Sequence, residues 1–307
     1  MVRGKKLKTW ALLAVVNLFW AMQYPAYRVV ADTVSVATLN LWTFVIAVIV
    51  LLPALLRERR RRTSAAAPFR PRDGLIFLWL AVLGLIPPSV VMAWGISHSS
   101  ASNASILSLT IPVLMMLMGM VMLKERPGRF LLLSLALALV GTALISWDDV
   151  AAGNFSGRTL TGNIAVFLSG AGAAFYNAYC KKLLERYSGV EVLVYGYIAA
   201  IVLCAAISLC VDPQPFYAVS GWSASAWIAV LVLGAIVWGA AMLLWMWLLN
   251  QLELGQISVS VYMLPVFGVL LSAATLGEHV GVMQLAGGAI VLLSAYFSSA
   301  PPAEAAP

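Results

Sequence analysis

Charge is scarce in this 307-residue sequence: Asp, Glu, Lys and Arg together make up 10% of it, with 12 acidic residues and two histidines. With 62% hydrophobic residues and a mean hydropathy of +0.94, a water-soluble domain could not keep a wettable surface, so large soluble domains are excluded. Three cysteines, Cys180, Cys204 and Cys210, lie in or at the ends of apolar segments without CxxC spacing, which speaks against a disulfide framework and a zinc site. HExxH, GxSxG and a His/Asp pair are missing from the apolar segments, so an intramembrane hydrolase or transferase lacks its parts. No apolar segment holds a lysine that could carry a Schiff base. The expectation is a membrane protein without enzymatic activity, cofactor or metal.

What is present is a series of long apolar runs bounded by charges and turn residues, near 10–30, 34–56, 74–97, 101–123, 129–147, 160–181, 190–211, 224–250, 256–277 and 280–298. A spanning helix uses about 20 apolar residues, and these runs are too long for the alternating strands of a membrane barrel. The reading is an all-α membrane protein of ten transmembrane helices, with the first run a retained span rather than a cleaved signal. Threading alternate sides puts 17 of the 19 Lys and Arg residues on the side of the N-terminus, leaving only Arg28 and Arg158 opposite. The positive-inside rule then places both termini in the cytoplasm, with the protein in the plasma (inner) membrane. The net charge of +7 is thus a topology signal that also meets anionic lipid, and no nucleic-acid partner is implied. Trp10, Trp147, Trp222 and Trp227 sit near span ends, as interfacial anchors do.

One offset, 153, aligns the two halves: Arg28 falls on Lys181, Trp94 on Trp247, Pro112 on Pro265 and Glu125 on Glu278. Residues 1–150 then form a first five-helix repeat, 151–300 a second, and 301–307 a short cytoplasmic tail. Because five is odd, the second copy enters the membrane inverted, the architecture of alternating access around a central site.

The residues that carry a resemblance are Asn17-Leu18-Phe19-Trp20, Ala104 to Pro112 followed by Leu123-Lys124-Glu125, and Pro265 followed by Leu276-Gly277-Glu278. In their order and symmetry they resemble the drug/metabolite transporter superfamily with paired EamA-type repeats, over roughly residues 10–298. Two departures stand out: Ala21 where a glycine often follows the tryptophan, and Lys124 where a glycine usually precedes the glutamate. Within the superfamily the chain looks most like the YddG-type exporters of aromatic and neutral amino acids. The resemblance implies an exporter; a broad drug or metabolite efflux transporter is the alternative.

All acidic residues, and all Lys and Arg, fall in loops or at span ends. A charge at the bilayer centre costs about 2.5–3.5 kcal/mol on insertion scales and is kept for a functional partner. A phosphorylated substrate would call for fixed cations, and a drug cation would favour an embedded Glu. A neutral or zwitterionic, partly apolar solute fits better. Trp20, Gln23, Tyr24 and Tyr27 share one helical face. Tyr176 and Asn177 in the sixth span, Trp238, Met242 and Trp245 in the eighth, Ser260 and Tyr262 in the ninth, and Asn103 and Ser105 in the fourth complete a candidate substrate-binding cavity. The same residues could instead face lipid or join helices. Pro25, Pro87, Pro88, Pro112 and Pro265 are candidate hinges, because each removes a helix hydrogen bond; static kinks would leave the same trace. Glu125 and Glu278 each precede a helix and are expected to cap it. Spans five and ten, free of proline and containing Gly287-Gly288, are expected to be scaffolding, facing lipid or a homodimer partner.

Overall fold

The computed structural model of the chain describes residues 2–30, 35–61, 70–98, 107, 109–145, 147, 160–211, 218–276 and 281–298. Among them the regular structure is helical, with no strand. The α-helices are α1 (Val2–Ala21), α2 (Gln23–Val30), α3 (Val36–Arg61), α4 (Pro71–Leu80), α5 (Met92–Ser97), α6 (Ile111–Leu123), α7 (Arg129–Ile145), α8 (Leu160–Leu183), α9 (Gly189–Val211), α10 (Ala224–Leu231), α11 (Met242–Leu249), α12 (Leu254–Val261), α13 (Met263–Leu276) and α14 (Val282–Ser298). Wide π-helical turns at Ala81–Leu85 and Pro87–Val91 join α4 to α5, and another at Val232–Ala241 joins α10 to α11. A single turn residue, Met22, separates α1 from α2, and Tyr262 separates α12 from α13. Joined through these junctions, the described residues form ten helical rods. Among the described residues, four stretches are long and apolar enough to cross a membrane by length and composition: Val36–Arg60, Arg72–Val91, Gly189–Cys210 and Ala224–Leu249.

Proline sets the junctions. Its ring clashes with the carbonyl four residues back and it has no N–H, so it fits the first turn of a helix and is costly beyond it. Pro112 accordingly sits in the first turn of α6, after turn residues Leu109 and Thr110, and Pro265 in the first turn of α13, after Tyr262. The break in each rod thus lies one turn before the proline, not at it. The paired Pro87 and Pro88 fall in the wide turns, where the Ser89 hydroxyl donates 2.6 Å to the carbonyl of Leu85. Pro53, by contrast, is accommodated inside the continuous α3.

Helix starts follow their capping residues. Ser188 and Glu191 form a reciprocal box at α9, with Ser188 N–H donating 3.1 Å to the Glu191 carboxylate and Glu191 N–H donating 3.3 Å to the Ser188 hydroxyl. The Ser223 hydroxyl accepts from Ala226 N–H at the start of α10.

The halves interlock by equivalent contacts. The second rod packs on the seventh, the fourth on the ninth and the fifth on the tenth; the first lies on the eighth and ninth as the sixth lies on the third and fourth. Small residues permit close crossings. A Cβ on Gly172 of the sixth rod would sit 2.8 Å from the Leu83 carbonyl oxygen of the third, and one on Gly234 of the eighth would sit 2.6 Å from Ile46 Cβ of the second. Between the fifth and tenth rods, a Cβ on Gly141 would meet the Gly287 carbonyl oxygen at 2.8 Å. Gly287 therefore serves a contact inside the chain, while Leu132, Leu133, Val140, Leu285, Leu292 and Leu293 stay exposed on the outer faces of these rods.

Candidate functional site

Packed between the rods is a layer of aromatic side chains, here called the central layer. Trp20 of α1 packs against Trp245 of α11, ring centroids 4.7 Å apart. Trp245 is 1% exposed, and its indole N–H donates 2.7 Å to Oδ1 of Asn177 on α8. Asn177 in turn donates through Nδ2 to the Ala173 carbonyl at 2.8 Å. The sixth and eighth rods are thereby joined by one polar chain, and the first meets it through the Trp20 ring. A second group lies beside it: Phe44 of α3 contacts Tyr197 of α9 and Trp238 of the eighth rod's wide turn, both with centroids 5.1 Å apart. The Tyr197 hydroxyl donates 2.8 Å to the carbonyl of Trp238. This bond satisfies backbone inside the wide turn, where regular helix pairing is disturbed.

Of the residues picked from the sequence, Tyr176, Asn177, Met242, Trp245, Ser260 and Tyr262 are buried, and Trp20, Gln23, Trp238 and Tyr27 are half-buried. Three of the buried set already spend their polar atoms within the protein. The Ser260 hydroxyl donates to the Ile257 carbonyl, Asn177 is engaged as described, and the Tyr262 hydroxyl donates 2.8 Å to the Leu109 carbonyl. Leu109 and Tyr262 are 153 residues apart, so this bond links two positions that the repeat makes equivalent. Asn103 and Ser105 lie outside the described residues; Tyr24 and Pro25 belong to the backbone of α2, and their side chains lie outside what is described. Pro87 and Pro88 are half-buried in the third rod, Pro112 is buried in the fourth and Pro265 half-buried in the ninth.

Sequence reasoning missed Phe44 and Tyr197, the partners of Trp238. The available signal was the pair of hydroxyls, Tyr195 and Tyr197, in the mostly apolar α9, since a buried tyrosine needs an acceptor. It also missed Asn17 and Asn40, buried with their Nδ2 atoms on the carbonyls of Leu13 and Val36, four residues back.

At one end of the molecule the start of the third rod and the connections after the fourth, sixth and eighth rods meet in a charged layer, here called the basic face. Asp73 of α4 accepts from Arg186 at 3.0 Å and from the Arg70 N–H at 2.6 Å. Burial, and the Asp73 carboxylate next to it, push the neighbouring Tyr187 hydroxyl up to about 12, so it remains protonated at neutral pH. Glu125 accepts from Lys181 Nζ at 2.8 Å. It also accepts the backbone N–H groups of Leu254, at 2.8 Å, and Gly255, at 3.2 Å. Glu125 is thus a helix cap, but of α12 in the other repeat rather than of α7, the helix that follows it in sequence. The reason is geometric: Lys124 adopts the left-handed conformation, φ 57°, and turns the chain back over the end of α6. Glu278 lies outside the described residues. Among the described residues no group of three His, Cys, Asp or Glu could hold a metal ion.

Comparison with known proteins agrees with this architecture. One curated relative is the "Probable terminal-alkyne amino-acid exporter" of Streptantibioticus cattleyicolor, 28% identical over 281 residues, covering 92% of this chain and 89% of that protein. Another is an "Uncharacterized transporter" of Archaeoglobus fulgidus, 24% identical over 305 residues, covering 95% of this chain and 98% of that one. A solved structure described as "Crystal structure of protein" superposes with a TM-score of 0.79 at 17% identity, over 95% of this chain and 96% of that one, and shares the fold. The description "EamA-like transporter family" matches twice, over residues 8–147 and 160–300. The chain therefore belongs to the EamA-like transporter family, as an all-helical integral membrane transporter with two copies of the family's repeat.

Proposed function

We propose that this chain exports neutral or aromatic amino acids, or similar amphipathic metabolites, across the plasma membrane by alternating access. The observation that carries the reading is chemical: the central layer holds Trp20, Gln23, Tyr27 and Trp238 half-buried, and the charged groups of the described rods collect at their ends. Aromatic faces and uncharged hydrogen-bonding groups suit an aromatic or thioether side chain and a zwitterionic backbone, and they offer no counter-charge to a phosphate or a drug cation. The name of the Streptantibioticus relative points the same way.

In this reading all ten rods span the bilayer, both termini are cytoplasmic, and the basic face is the cytoplasmic one because it carries the excess of Lys and Arg. Support for an inverted repeat comes from the direct bond between equivalent positions Leu109 and Tyr262, as expected near a two-fold axis between the halves. Rods four and nine flex at the turns preceding Pro112 and Pro265, and in doing so open the central layer to one side or the other.

The test is uptake of labelled aromatic, thioether, small neutral and charged amino acids into proteoliposomes, with and without a pH gradient. Uptake confined to the uncharged members is expected; failure of the whole amino-acid panel with folded protein, and transport of drug cations instead, would replace this reading with broad efflux.

A further inference from the structure

We infer that Glu125 is the latch that holds the basic face shut. The inference rests on the alternating-access reading above and adds to it the group that must let go. Glu125 belongs to the first repeat, in the connection between α6 and α7, while its partners all belong to the second. Both carboxylate oxygens are engaged: Oε1 accepts from Lys181 Nζ and Leu254 N–H, and Oε2 from Gly255 N–H. Lys181 also donates to the Leu252 carbonyl, which ties the end of α8 to the connection before α12. Glu125 and Lys181 together thus fasten the cytoplasmic ends of the fourth, sixth and ninth rods and the connection after the eighth.

In this setting the loss of one partner leaves the other half-buried and unpaired. The side chains of Lys181 and Glu125 are 21% and 12% exposed, so the pair is largely screened from water, and the carboxylate faces the positive end of an eight-residue helix. Gly119 makes room, since a Cβ there would lie 2.7 Å from Glu125 Oε2. Both Lys124 and Glu125 N–H groups fold back onto the Gly119 carbonyl, which aims the carboxylate at α12 instead of the solvent. When the two repeats part at this end, the three bonds must break together. Arg186 and Asp73 join the repeats nearby, but Arg186 is more exposed and the contact carries no helix cap from the opposite repeat, so it is the weaker tie.

The chain carries its own reporters. Cys180 is buried on the sixth rod, next to Lys181 in sequence and with its thiol near Tyr176 and Tyr197, and Cys204 is buried further along α9. The experiment measures labelling by a membrane-impermeant maleimide of full-length protein in nanodiscs, in one background keeping only Cys180 and another keeping only Cys204. Glu125→Gln and Lys181→Gln are each expected to raise the labelling rate of Cys180 by about tenfold, a coupling of ordinary size between two conformations, with Cys204 unchanged. Should Glu125→Gln fail to give a monodisperse protein, Lys181→Gln alone decides. Unchanged Cys180 labelling would overturn the latch, and so would a parallel rise at Cys204, which would mean general loosening. The labelling needs no substrate, so an error in the proposed substrate class would leave it untouched and would appear only in the transport panel.

Discussion

The third and eighth rods occupy equivalent places in the two repeats and both widen into π-helical turns, at Ala81–Leu85 and Pro87–Val91 in one and at Val232–Ala241 in the other. Their sequences do this differently. The third rod carries Pro87-Pro88, whose rings forbid regular pairing, with Gly84 in the wide turn before them; the eighth carries no proline and relies on Gly234 and Gly239, a Cβ on the latter lying only 3.0 Å from the Gly234 carbonyl oxygen. Two residue types producing one distortion at one depth indicates that the architecture demands the distortion at that place. Wide turns of this kind concentrate at functional positions, and here the one in the eighth rod presents Trp238 to the central layer.

The largest test of this comparison is Gly234→Leu. Its Cβ would sit 2.6 Å from Ile46 Cβ and 2.9 Å from the Thr43 carbonyl oxygen, and the backbone oxygen cannot step aside. Overpacking of a tight contact costs about 1–3 kcal/mol or more, so size-exclusion chromatography of the detergent-solubilised variant should show little monodisperse protein. Gly74→Ala, at a site with nothing within 4 Å, should be tolerated. A normal elution profile for Gly234→Leu would mean the rods are not locked as described.

Next in size is the tie between the eighth and sixth rods. Trp245→Phe keeps the ring against Trp20 but removes the donor to Asn177 Oδ1, leaving that buried oxygen unpaired. The expected loss is about 1–3 kcal/mol, read as a lowered thermal-unfolding midpoint. Trp245→Phe combined with Asn177→Leu should recover part of it, because no orphan acceptor remains. Met92 stands at the equivalent place in the third rod, and its replacement by Leu should change the midpoint little, which sharpens the asymmetry between the rods.

Flexing at the ninth rod comes third. Pro265→Ala lets the helix run back through the break at Tyr262, and transport in proteoliposomes should slow severalfold with expression preserved. The same change at Pro112 should have the same sign. Transport rates unchanged in both variants would reduce the prolines to static kinks.

Much of this was legible in the sequence. Apolar runs and their charged boundaries marked the rods, and the offset between Pro112 and Pro265 marked the repeat, because bilayer thickness and helix geometry leave few alternatives. The details that were not legible depend on contacts between segments far apart in sequence. The adjacency of Glu125 to α7 pointed to a local cap, whereas the carboxylate is taken by α12, about 130 residues away. Ser260 and Tyr262 carry the polar groups expected of a binding surface, yet spend them on backbone carbonyls. Residue type alone cannot separate these uses, since a hydroxyl in a membrane needs a partner either way.

The smallest predicted effect concerns Lys124. The chain turns at this residue with φ 57°, a left-handed conformation that L-residues other than glycine adopt at a cost of about 1–2 kcal/mol. The equivalent position in the second repeat is Gly277, a residue type for which the left-handed conformation carries no such cost. Lys124→Gly should relieve about 1 kcal/mol, less the added freedom of the unfolded chain. The thermal midpoint should therefore rise by a degree or two, while Glu125 keeps its grip on α12. A fall in the midpoint would show that the Lys124 side chain stabilises the basic face by more than its backbone strains it.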